Sequence, residues 1–103
     1  MYKIAFFVPE AHKETVKTAL FETGAGKIGQ YDCCSWEVSG EGQFRPLKGS
    51  NPFMGTQGEI EKVSEFKVEM VCEDHLLEAA LCALKNAHPY EEPAYDVWSL
   101  MTL

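Results

Sequence analysis

Basic residues are few: nine Lys and Arg stand against sixteen Asp and Glu, a formal charge of −7, and the nine form no cluster. A nucleic-acid partner needs a basic face to neutralise backbone phosphates, so that class is excluded, and an anionic membrane surface is disfavoured on the same ground. No apolar run approaches the ~18 residues of a membrane span, and the start of the chain lacks the charged-then-apolar pattern of a signal peptide. The expectation is a cytoplasmic protein. The four cysteines, Cys33, Cys34, Cys72 and Cys82, include no Cys-x-x-Cys pair, which removes the commonest zinc and redox signatures. Neighbours on a strand point to opposite faces, so Cys33 and Cys34 do not serve one site, and all four read as buried, reduced thiols.

With 46% hydrophobic and 24% charged residues in 103, the composition is that of one folded domain. Met1 to Val8 alternates Ile4, Phe6 and Val8 with Lys3, Ala5 and Phe7, the period of a strand covered mainly on one side. Pro9 and Glu10 open a helix whose apolar stripe is Val16, Ala19, Leu20 and Thr23, and Gly24-Ala25-Gly26 ends it. Tyr31 to Ser39 reads as the second strand, with Cys34, Trp36 and Val38 on one face. Between Gly40 and Gly58, five glycines and two prolines forbid a long element, while Phe44, Leu47, Phe53 and Met54 give this excursion apolar anchors. A third strand follows from about Glu59 to Cys72, then a helix with Asp74 as N-cap and Leu77, Ala80, Leu81 and Leu84 as its stripe. Ala94 to Leu100 is the last strand.

The order βαββαβ places both helices on right-handed crossovers and therefore on one face of a four-stranded antiparallel sheet. The fold class is α+β, a ferredoxin-like βαββαβ sandwich spanning 1–103. Its other sheet face, with Ala5, Phe7, Val71 and Trp98, has no helix to cover it, and an apolar face of that kind points to a second subunit.

The densest chemistry lies in His88-Pro89-Tyr90-Glu91-Glu92-Pro93-Ala94-Tyr95-Asp96-Val97, directly after the second helix. Each proline fixes its own φ and pushes the residue before it toward extended geometry, so the helix stops near Ala87 and the chain leaves it stretched.

Three separated motifs carry a resemblance over essentially the whole chain. They are Gly24-Ala25-Gly26-Lys27-Ile28-Gly29-Gln30-Tyr31-Asp32, then Phe44-Arg45-Pro46-Leu47 followed by Gly49-x-Asn51-Pro52-Phe53, and His88 to Val97. Together they resemble the PII-like inserted domain of the Nif-three-like family, also called YqfO or YbgI. The last motif also resembles the corresponding turn of the CutA divalent-ion tolerance proteins, which share the PII-like ferredoxin fold and assemble as trimers. In the full-length Nif-three-like proteins, His and carboxylate ligands on the halves flanking the insert build a dinuclear metal centre. Those halves are not in this sequence, and His12, His75 and His88 form no spaced metal motif. The resemblance implies fold and threefold assembly, with ligands held between subunits, and not hydrolysis.

Two readings of the last loop compete. His88, Glu91 and Glu92 offer nitrogen and oxygen ligands suited to a divalent ion such as zinc or copper, if convergence across subunits completes the set. Alternatively His88, as a cation, caps the preceding helix, Tyr90 packs, and Glu91 or Glu92 bonds a neighbouring backbone. Arg45 is either the receptor of a carboxylate or phosphate or an ion pair with Glu91 or Glu92. The glycines at 24, 26 and 29 follow a helix, the wrong end of its dipole for an anion. Cys33 and Tyr31 have no base at recognisable spacing. The expected function is a non-enzymatic oligomeric module, a trimer before a dimer, binding a small ligand or metal through His88, Tyr90, Glu91, Glu92 and Arg45. The alternatives are a hydrolase-type activity and a purely structural domain acting on a protein partner.

Overall fold

A computed structural model describes residues 1–101. Strand β1 (Tyr2–Pro9) leads into helix α1 (Glu10–Glu22), then β2 (Trp36–Phe44) and β3 (Glu61–Cys72). A short 3-10 turn, Asp74–Leu76, precedes α2 (Leu77–Ala87), and β4 (Tyr95–Ser99) is the last strand among the described residues. The strands lie in the order β2-β3-β1-β4 and every neighbouring pair is antiparallel. This is the ferredoxin-like sandwich expected from the order of elements.

The period-2 pattern of β1 decides which side becomes core. Ile4, Phe6 and Val8 are fully buried, and the register sets them beside Met70, Val68 and Phe66 of β3. Val16 and Leu20 of α1 and Ala80 and Leu84 of α2 close over them at 0% exposure, completing one contiguous core. Glu37, on the helix side of β2, ties that edge strand to α1 through Lys13 (2.5 Å) and Lys17 (2.8 Å). Lys13 and then Lys17 hold its carboxyl below the usual range. The opposite face carries Trp36 and Val38 of β2 and Trp98 of β4 at 59%, 44% and 45% exposure, with Phe7 half-buried between them. Ala5 lies on that face too but is fully covered. Among the described residues, no helix is long and apolar enough to cross a membrane.

The structure corrects four sequence expectations. The second strand begins at Trp36, not Tyr31, because Gly29 (φ 57°) and Cys33 (φ 53°) both bend the chain left-handed, and Tyr31 only bridges back to Ile28. That strand then runs on through Gly40 and Gly42 to Phe44, so the excursion shrinks to the segment between β2 and β3. Glycine is tolerated there because β3 supplies an unbroken ladder opposite it. Asp74 makes no capping bond to α2; it pairs with the N-terminal ammonium. Of the four free thiols only Cys72 is buried, and Cys33 and Cys82 are exposed.

Gly26 shows how tightly the connection after α1 is specified. Its N–H donates to the Val71 carbonyl (2.7 Å) and its own carbonyl accepts from the Cys34 N–H (2.8 Å). At φ +79°, a Cβ would stand 2.7 Å from the Phe21 ring and 2.9 Å from the Cys34 oxygen. Gly26→Ala is expected to cost about 2–4 kcal/mol in urea unfolding. Gly40→Ala, with no atom within 4 Å of the added methyl, should stay within about 0.5 kcal/mol of the parent. Equal costs at the two positions would contradict this account.

Candidate functional site

Pro89 shapes the site from its first residue. It holds His88 extended (φ −72°, ψ 138°) just as α2 ends, while the His88 N–H still closes the helix on the Leu84 carbonyl (2.9 Å). The imidazole then turns back to β1. There the β1–β4 ladder is running out: the Phe7 N–H donates to the Ala94 carbonyl at 3.3 Å. His88 Nε2 donates to the Phe7 carbonyl at 2.7 Å, and Nδ1 accepts from the Tyr90 N–H at 3.1 Å. A carbonyl only accepts and an N–H only donates, so this pair of bonds requires the neutral Nε2–H tautomer. Burial pushes the imidazole pKa below its ordinary 6.5, outweighing the Phe7 bond, with nearby His12 adding to the depression. The cationic helix cap expected from the sequence is therefore corrected: His88 is a neutral, 6% exposed strut.

Tyr90, released just beyond this strut, becomes the floor of an aromatic wall. Its ring centroid lies 4.9 Å from that of His88, 6.0 Å from Phe44 and 6.2 Å from Phe53. The phenol donates to Glu65 Oε2 at 3.1 Å, and burial together with Glu65 raises its pKa far above normal, so it stays a donor. Glu65 fits because Gly42 lies under it: a Cβ on Gly42 would stand only 1.8 Å from Glu65 Oε1. Across the loop, Glu91 Oε1 accepts from the Asn51 N–H (3.1 Å) and pins the excursion to the turn. Phe53 in turn sits edge-on to His12 at 5.5 Å.

These contacts enclose an open cleft of about 380 Å³ at the end of the sheet. Arg45, Tyr90, Glu91 and Glu92, four of the five residues singled out from the sequence, line it. His88 does not; it stands behind Tyr90. The proposed ion pair of Arg45 with Glu91 or Glu92 is not formed, since among the described residues no carboxylate lies within 4 Å of Arg45. Nor do His88, Glu91 and Glu92 converge within this chain: both His88 nitrogens are used, and no group of three His, Cys, Asp or Glu among the described residues is placed to hold a metal. Sequence reasoning missed Glu65 and Phe7 as parts of the site. Glu65 follows the solvent alternation of β3, and only the register opposite Gly40 shows where its carboxylate goes.

No family model matches the chain. It is 48% identical over 99 residues to the GTP cyclohydrolase 1 type 2 homolog of Mycobacterium leprae, covering 96% of this chain and 26% of that protein. The Bacillus subtilis protein of the same name is 43% identical over 96 residues, again across 26% of its length. A solved Bacillus cereus protein related to NIF3 superposes with a TM-score of 0.85 at 39% identity, over 98% of this chain and 26% of that one. CutA1 from Pyrococcus horikoshii superposes with a TM-score of 0.69 over 100% of this chain and 86% of its own, at 20% identity, which shows a shared fold. The chain thus spans about a quarter of the length of the curated relatives it matches, and it is homologous to that segment of the Nif-three-like proteins.

The neutral state of His88 links stability to pH. Folding lowers its pKa, so its contribution is present in full above the unfolded value near 6.5 and is lost as pH falls from there through the folded value. At pH 7.5, His88→Ala should cost about 2–3 kcal/mol in urea unfolding. The gap between parent and variant should narrow from pH 6.5 to pH 5. A gap that is constant or widens over that range would contradict the assignment.

Proposed function

We propose that this chain, homologous to one segment of the Nif-three-like proteins, is a non-enzymatic, self-associating module that holds a small organic ligand in the cleft between the Phe44–Phe53 excursion and the His88–Pro93 turn. The observation that carries the reading is the cleft itself. It is concave, walled by aromatic rings, and supplied with a few fixed polar groups, the general form of a small-molecule site. Its lining includes no Cys, His or Lys. The Ser50 hydroxyl is spent on the Leu47 carbonyl (2.7 Å), and Tyr90 is held protonated, so neither hydroxyl stands there as an activated nucleophile. A resident divalent ion is disfavoured by the engagement of His88.

Titrating chelator-treated protein with zinc in a calorimeter separates the ligand classes. No saturable binding below roughly 100 μM is expected. Tighter zinc binding that is lost in His88→Ala and weakened in Glu91→Gln would restore the metal reading.

Self-association is supported by the uncovered sheet face. Trp36, Val38 and Trp98 give it exposed apolar area flanked by charges, a composition suited to another copy of the chain. The resemblance to CutA favours three copies over two. Light scattering is expected to give a multiple of the 11.6 kDa monomer, and Trp98→Glu should return it to that value. A parent mass of 11.6 kDa throughout the micromolar range would refute the assembly.

A further inference from the structure

Resting on the reading of the cleft as a binding site, we propose that its occupant is an organic cation: a protonated amine carried on a flat apolar body. The charge of the lining points this way. Three carboxylates, Glu65, Glu91 and Glu92, face one guanidinium, that of Arg45. None of the four has an oppositely charged partner within 4 Å among the described residues. Where these carboxylates are hydrogen-bonded, the donors are neutral: the Tyr90 hydroxyl for Glu65 and the Asn51 N–H for Glu91. Neutral donors orient a carboxylate without cancelling its charge, and each leaves one oxygen free for a ligand. The cleft is therefore a pre-oriented anionic site.

The walls supply the second half of the recognition. Phe44 and Phe53 each pack on Tyr90 at centroid separations of 6.0 and 6.2 Å, forming a continuous aromatic wall against which a flat apolar group can lie. An ammonium beside such rings gains from the ring quadrupole as well as from the carboxylates. A phosphate or carboxylate ligand would meet Arg45 alone and be repelled by the other three charges. A bare divalent ion gains nothing from the rings and lacks three converging ligands. A neutral aromatic molecule would use the walls but leave the charges without partners.

Three probes sharing a phenylethyl body isolate the charge: 2-phenylethylamine, 2-phenylethanol and 3-phenylpropionate. Each is titrated into the isotope-labelled full chain and followed by amide chemical shifts, with Phe7, Phe44 and Tyr90 reporting on the cleft. The amine is expected to bind saturably and about tenfold more tightly than the alcohol, with the anion weakest. Glu65→Gln and Glu91→Gln keep both hydrogen bonds, so the fold should hold. Each should weaken the amine roughly three- to tenfold and leave the alcohol unchanged. Alcohol or anion binding in the cleft as tightly as the amine would overturn the cation while keeping the site. Phenylalanine binding more tightly than the amine, and losing that advantage in Arg45→Gln, would replace the cation by a zwitterion. Absence of cleft shifts with all of these probes would overturn both the cation and the site.

Discussion

The site depends on one buried imidazole making two hydrogen bonds to backbone. His88 donates to the Phe7 carbonyl and accepts from the Tyr90 N–H, joining the end of β1 to the turn that leaves α2. Without it, a β1 carbonyl would be left bare where the ladder to β4 stops, and the turn would lose its side-chain tie to β1. A charged ring cannot serve, because a protonated Nδ1 faces an N–H donor. The low exposure of His88 is thus part of the geometry: burial keeps the ring neutral, and the neutral ring is the only form that fits both partners.

Everything in the cleft is placed from this strut outward. Tyr90 is set beside the His88 ring, its hydroxyl orients Glu65, and its ring meets Phe44 and Phe53 of the excursion. Glu91 then fastens the excursion through the Asn51 N–H. A loop rich in glycine acquires a defined position by packing aromatic anchors against a rigid turn and adding one charged tie. The same set of contacts leaves three carboxylates in the cleft with no cation within 4 Å among the described residues.

Much of this was legible in the residues. The alternation of Ile4, Phe6 and Val8, the stripe of Leu77, Ala80, Leu81 and Leu84, and the two prolines around Tyr90 carry periodic or dihedral instructions that need no tertiary context. The His88 to Pro93 turn and Arg45 stood out by composition, and four of those five candidates do line one cleft. What failed were features that only pairing or burial decides. Trp36 and Val38 are readable as strand residues, but their placement on the uncovered face follows from the register with Glu69 and Lys67. Gly40 and Gly42 argue locally against a strand and are overruled by β3. The charge state of His88 depends on how deeply the fold buries it and on a carbonyl 81 positions away. Residues far apart in the chain, such as Glu65 and Tyr90, announce no partnership in sequence.

The central claim is the tautomer of His88, and long-range nitrogen–proton correlation of its imidazole reads that state directly. At pH 6.5, where a free imidazole is half protonated, the structure requires the neutral ring to predominate, with Nε2 at a pyrrole-type shift and Nδ1 at a pyridine-type shift. A ring mostly protonated on both nitrogens at pH 6.5, or carrying its proton on Nδ1, would contradict the account of how this turn is held and of the cleft it forms.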